Sequence, residues 1–136
     1  DGHNRRPRGQ VEVVAELPCG GAKDQGFRST EDLLQAHPDV SAVFAINDPA
    51  ALGARAALEK AGAAERVKLV GFDGQPEGKK AIADGKIYAD PIQYPDRLGR
   101  MTADVLARYF DGRDVPPELL VPTALYKQAD AKRDGL

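Results

Sequence analysis

One cysteine, Cys19, is the only thiol in the chain, and together with two histidines it cannot furnish a four-ligand zinc site from those residues alone. An internal disulfide is excluded for the same reason, because a lone thiol has nothing to pair with. No apolar run approaches the roughly 20 residues that a bilayer span requires, so no transmembrane segment is expected. Charge of one sign is not in excess either: 19 Lys and Arg stand against 21 Asp and Glu, a net charge of −2. Nucleic acid is therefore not an expected partner, since phosphate-backbone binding draws on a strong basic surplus. The first residues, Asp-Gly-His-Asn-Arg-Arg-Pro-Arg-Gly, contain neither an initiator methionine nor an apolar leader, and read as a processed or truncated start.

The 136 residues suit one domain with one core, and 42% hydrophobic with 29% charged residues is ordinary globular composition. Residues 1–10, with Arg5, Arg6 and Arg8 among Gly, Asn and Pro, are expected to form a mobile head that buries nothing. Residues 11–17, Val-Glu-Val-Val-Ala-Glu-Leu, predict a first strand ended by Pro18 and Gly20-Gly21. A helix follows over 24–36, stopped by His37-Pro38 because a residue before proline is pushed out of the helical region. The apolar runs 41–46 and 67–72 predict strands buried in a parallel sheet. Between them Asp48 is expected as an N-cap before Pro49, opening an alanine-rich helix that ends by Gly62. Residues 77–84 predict a short helix closed by Gly85. Residues 86–92 predict a strand in which Pro91 argues for an edge or a bulge. Leu98, Met101, Val105 and Tyr109 form one stripe of an amphipathic helix over 96–110. A last extended segment spans 119–127, and 129–136 is expected as a polar tail.

Strands alternating with helices predict an α/β fold, a mostly parallel sheet with helices on both faces. In such sheets ligands collect at the carboxyl ends of the strands. The residues leaving those ends are Asn47, Asp73 and Gln93. A carboxylate accepts from two hydroxyls and an amide both donates and accepts, so the trio suits a polyhydroxyl ligand such as a sugar. The competing reading is that Asn47, Asp48 and Asp73 only cap helices and turns, as such residues commonly do. Catalysis is not expected, because neither His3 nor His37 is an evident base for Cys19. A cofactor is not expected either, because Gly71-Phe72-Asp73-Gly74 lacks the spacing of a dinucleotide or phosphate loop.

Several motifs stand in a fixed order: Ala36-His37-Pro38-Asp39-Val40, Val43-Phe44-Ala45-Ile46-Asn47-Asp48 with Ala51-Leu52-Gly53-Ala54, and Val70-Gly71-Phe72-Asp73-Gly74-Gln75-Pro76-Glu77-Gly78. With Ala83-Asp84-Gly85-Lys86 and Ile92-Gln93-Tyr94-Pro95, they resemble the carboxyl-terminal lobe of the type 1 periplasmic sugar-binding proteins, over about 11–128. The resemblance implies one lobe of a two-lobe hinged binder, non-enzymatic and outside the cytoplasm, that delivers a monosaccharide to an ABC transporter permease. It places the family's sugar-contacting Asn, Asp and Gln at Asn47, Asp73 and Gln93. It departs at Pro18-Cys19-Gly20-Gly21-Ala22, where ribose binders carry a stacking aromatic ring, and it has no match for the family's sugar-binding Arg.

A second reading is the effector-binding core of a bacterial transcription regulator of similar fold, and a third is the sensor module of a receptor kinase. Regulators tend to read Tyr-Asp-Asp or Phe-Asp-Asp where this chain has Phe72-Asp73-Gly74, which favours transport. The resemblance also implies that the helix over 96–110 packs on the other lobe. A homodimer through that helix is expected of the isolated chain.

Overall fold

A computed structural model describes residues 11–136, so the head expected over 1–10 and its arginines lie outside the described residues. The elements run α1 (Lys23–Ala36), β1 (Ala42–Phe44), α2 (Asp48–Lys60), β2 (Lys68–Val70), α3 (Pro76–Ala83), β3 (Asp90–Ile92), α4 (Pro95–Phe110), β4 (Ala124–Tyr126) and α5 (Gln128–Arg133). Strand β1 pairs parallel with β2 with Val43 opposite Leu69, and β3 pairs antiparallel with β4 with Pro91 opposite Leu125. Parallel bridges Val70↔Ala89 and Asp73↔Ile92 join the two halves into one order, β1-β2-β3-β4. The expected α/β class holds.

The core forms where α2 and α3 press on one face of this sheet. Ala51, Ala54 and Leu58 of α2 meet Leu69, Ala81, Ile82 and Ile87 in one cluster. Fully burying a Leu or Ile is worth roughly 1.5–3 kcal/mol, so Leu58, Ile82 and Ile87 are its main anchors. Helix α1 packs on α2 rather than on the sheet. Glycines let the two backbones meet: a Cβ on Gly53 would stand 1.9 Å from the Lys23 carbonyl oxygen, and one on Gly26 2.5 Å from that of Ala50. On the opposite face of the sheet Phe44, Ile46 and Tyr88 are exposed.

Four expectations are corrected. Residues 11–17 form no strand: Val11, Val13, Val14 and Leu17 are exposed, and a β-branched pattern becomes a strand only where a neighbour completes its ladder. The N-cap of α2 is Asn47, whose Oδ1 accepts from the Ala50 N–H at 3.0 Å. Asp48 is instead the first helical residue, drawn inward to accept from the Gln75 N–H. Pro91 lies inside the sheet rather than at its edge, because β4 pairs beyond it. Its carbonyl accepts from the Asp73 N–H, so its missing N–H interrupts the β2–β3 ladder and leaves two separate bridges. The stretch 129–136 is not only a polar tail. Most of it lies in α5, where Asp130 accepts from the Lys127 N–H and Ala131 is buried against the core.

Candidate functional site

The carboxyl ends of β1, β2 and β3 lie side by side, and the chain leaves them at Asn47, Asp73 and Gln93. Parallel pairing of β1 with β2, and of the Asp73 segment with β3, puts all three residues along one rim of the sheet. Two of them touch. Gln93 donates from Nε2 to Asp73 Oδ1 at 2.6 Å, and its backbone N–H donates to the Asp73 carbonyl at 2.9 Å. Gln75 donates from Nε2 to the other Asp73 oxygen at 3.1 Å.

Asn47 is not hydrogen-bonded to that pair. Its Nδ2 donates to the Gly21 carbonyl at 3.0 Å while its Oδ1 caps α2, so it ties the loop before α1 to the start of α2. Asn47 thus caps a helix, the part of the capping alternative that concerns its backbone neighbours. Each group nevertheless keeps spare capacity: Asn47 one amide hydrogen, Gln93 one amide hydrogen and its carbonyl oxygen, and Asp73 further lone pairs on both oxygens.

Asp73 has φ 111°, the one described non-glycine residue in the positive-φ region. Such a conformation costs about 1–3 kcal/mol and persists only where its surroundings enforce it. Here they do. The next two backbone amides are clamped, Gly74 N–H by Asp90 Oδ2 at 3.0 Å and Gln75 N–H by Asp48 Oδ2 at 2.6 Å. Asp48 and Asp90 are both buried, and burial pushes both carboxyls above their ordinary range. By sequence Asp48 reads only as a cap, and Asp90 as one residue of the strand expected over 86–92. The available signal was a carboxylate next to Pro91 in an otherwise apolar stretch.

An open groove of about 600 Å³ between α1 and α2, lined by Lys23, Asp24, Phe27, Arg28, Gly53 and Ala56, contains none of the three expected residues. Cys19 is half-buried against the core, and the loop it occupies carries no aromatic ring. An aromatic pair does lie next to the rim: Phe72, preceding Asp73, meets Phe44 edge to face with ring centres 6.5 Å apart.

The chain belongs to the periplasmic binding protein family, whose domain model matches residues 4–114. It is 46% identical over 103 residues to the ribose import binding protein RbsB of Salmonella typhimurium, covering 76% of this chain and 34% of that protein. Among solved structures it resembles GanP, a glucose-galactose binding protein from Geobacillus stearothermophilus, with a TM-score of 0.81 and 25% identity over 88% of this chain and 42% of that one. A periplasmic solute binding protein of an ABC transporter from Actinobacillus succinogenes, with bound D-allose, matches with a TM-score of 0.78 at 25% identity, covering 90% of this chain and 43% of that one. The chain thus spans about a third of the length of the curated relative.

Proposed function

We propose that this chain is the carboxyl-terminal lobe of a sugar-binding protein that serves an ABC-type importer, acting outside the cytoplasm and without catalysis. Asn47, Asp73 and Gln93 receive the hydroxyls of a monosaccharide, and a membrane permease receives the loaded binder. The observation that carries this reading is the rim itself. Three strand ends present amide and carboxylate groups along one rim, with Asp73 held in a costly backbone conformation by two backbone clamps. The names of the relatives agree, since they bind ribose, D-allose or glucose and galactose. The regulator reading has less behind it, because the relatives named include an import binding protein and a solute binding protein of an ABC transporter.

Isothermal titration of the protein against a panel of pentoses and hexoses tests the proposal. One sugar is expected to bind well below millimolar Kd, that is, with more than about 4 kcal/mol of binding free energy. Binding of none at that strength would sink the transport reading. The isolated chain is further proposed to pair with a second copy through α4, none of whose residues is fully buried.

A further inference from the structure

Two interior carboxyl groups take no part in the proposed ligand contacts. Asp48 is 1% and Asp90 0% exposed, and the ion pairs among the described residues involve other carboxylates. Their Oδ2 atoms are satisfied by the Gln75 and Gly74 amides. Their Oδ1 atoms are buried and meet no donor among the described residues. Both Oδ1 atoms face Gly71, where a Cβ would stand 2.9 Å from that of Asp48 and 3.5 Å from that of Asp90. Gly78 closes the other side of Asp48, since a Cβ there would lie 2.3 Å from its carboxyl carbon. The site is therefore a tight cleft between glycines, without space for a further side chain.

Two adjacent buried charges with no cation are costly on two counts, desolvation and mutual repulsion. One proton between the Oδ1 atoms removes a charge and turns two orphaned acceptors into a donor and an acceptor. We propose that Asp48 and Asp90 share one proton in the folded protein, and that this protonated pair positions Asp73 by clamping the two amides that follow it. Only the consequence for ligand rests on the sugar-binding reading.

The groups around the pair do not supply a substitute charge. Asp73, on the clamped loop, adds a third negative charge that raises both carboxyls. From α2, the neighbour at Gly71 is the Ala51 methyl. On α3, Glu77 is exposed and Lys79 lies over the Tyr126 ring, 4.9 Å from its centre. Strand β4 sets that same Tyr126 opposite Asp90. Burial raises Asp90 from 3.8 to about 7, and the hydrogen bond between the carboxyls raises Asp90 while lowering Asp48. Burial raises both carboxyls, so the proton belongs to the pair. The folded state holds it where the unfolded chain has released it, so its stabilising effect is full below 3.8 and is lost as pH rises through about 7.

The test uses the protein without sugar. Carbon-detected NMR of the aspartate carboxyls should show one of the pair titrating near pH 7. In Asp90→Asn an amide takes the place of the shared proton, donating to Asp48 and accepting from Gly74. This variant should lose the decline of stability between pH 3.8 and about 7 that the parent shows. The Gly74 and Gln75 amides should remain protected from hydrogen exchange in Asp90→Asn and exchange at least about tenfold faster in Asp48→Ala. All carboxyls titrating below about pH 5 would overturn the proposal, as would equal pH slopes in parent and Asp90→Asn. A chelator-induced fall in stability would overturn it too, by showing a cation where the proton is placed. Should Asp90→Asn not fold, the parent's carboxyl titration decides alone. An intact titration with no sugar bound by the protein would refute the transport reading and leave the proton pair standing.

Discussion

Asp73 combines a proposed ligand contact with a conformational cost, and substitution bears on both. Asp73→Gly removes the carboxylate and the strain at φ 111° together. Folding stability is expected to hold or to rise by about 1 kcal/mol in denaturant unfolding. Sugar affinity is expected to fall at least about tenfold, the worth of a charged hydrogen bond. A glycine variant that bound like the parent would remove Asp73 from the site. Asn47 makes the opposite case, because its visible bonds are structural. Asn47→Ala deletes the α2 cap and the donor to the Gly21 carbonyl, and should cost roughly 0.5–2 kcal/mol of stability before any ligand is added. Strand-end position alone picked out Asn47, Asp73 and Gln93. It could not show that Asn47 also ties down the Gly21 carbonyl while Gln93 is bonded to Asp73, because those partners lie 26 and 20 residues away in the chain.

At the scale of elements, α2 is the best determined from sequence, with Pro49 in its first turn and alanines down one side. Its contact with α1 depends on the absence of side chains at Gly26 and Gly53. Gly53→Ala should drive a methyl into the Lys23 carbonyl and destabilise the protein by about 1–3 kcal/mol, as overpacking does. A melting temperature unchanged by that substitution would mean that the helices can part without loss. Residues 11–17 and 129–136 depart from their expected forms for one reason. Propensity and polarity are local, whereas a strand needs a partner and a short helix needs a surface. Ala131 finds its surface on the core, and α5 gains a further tie when Gln128 donates to the Ala83 carbonyl at 3.1 Å. Residues 11–17 find no such partner among the described residues.

At the scale of the molecule, two apolar surfaces stand open. Helix α4 buries none of its residues, and Phe110 at its end is 80% exposed. Phe44, on the sheet face opposite the core cluster, is 64% exposed. Covering Leu98, Met101, Val105 and Tyr109 would gain roughly 1.5–3 kcal/mol for each side chain fully buried, which drives association. Sedimentation of the isolated chain is expected to show a concentration-dependent dimer, weakened by Leu98→Asp or Val105→Asp. A monomer at high micromolar concentration would contradict the pairing through α4.

From sequence alone came the alternation of strands and helices, most helix boundaries to within a residue or two, and the rim residues Asn47, Asp73 and Gln93. These follow from local causes: apolar periodicity, proline and glycine placement, and the rule that loops leave a parallel sheet at its carboxyl ends. Only the tertiary structure decided that Pro91 sits inside the sheet, that 11–17 goes unpaired among the described residues, and that Asp48 and Asp90 meet beneath the Asp73 loop. Asp48 and Asp90 belong to different elements, and what makes them a pair is burial in a shared cleft. Burial is a property of the packed molecule, which periodicity along a chain does not encode.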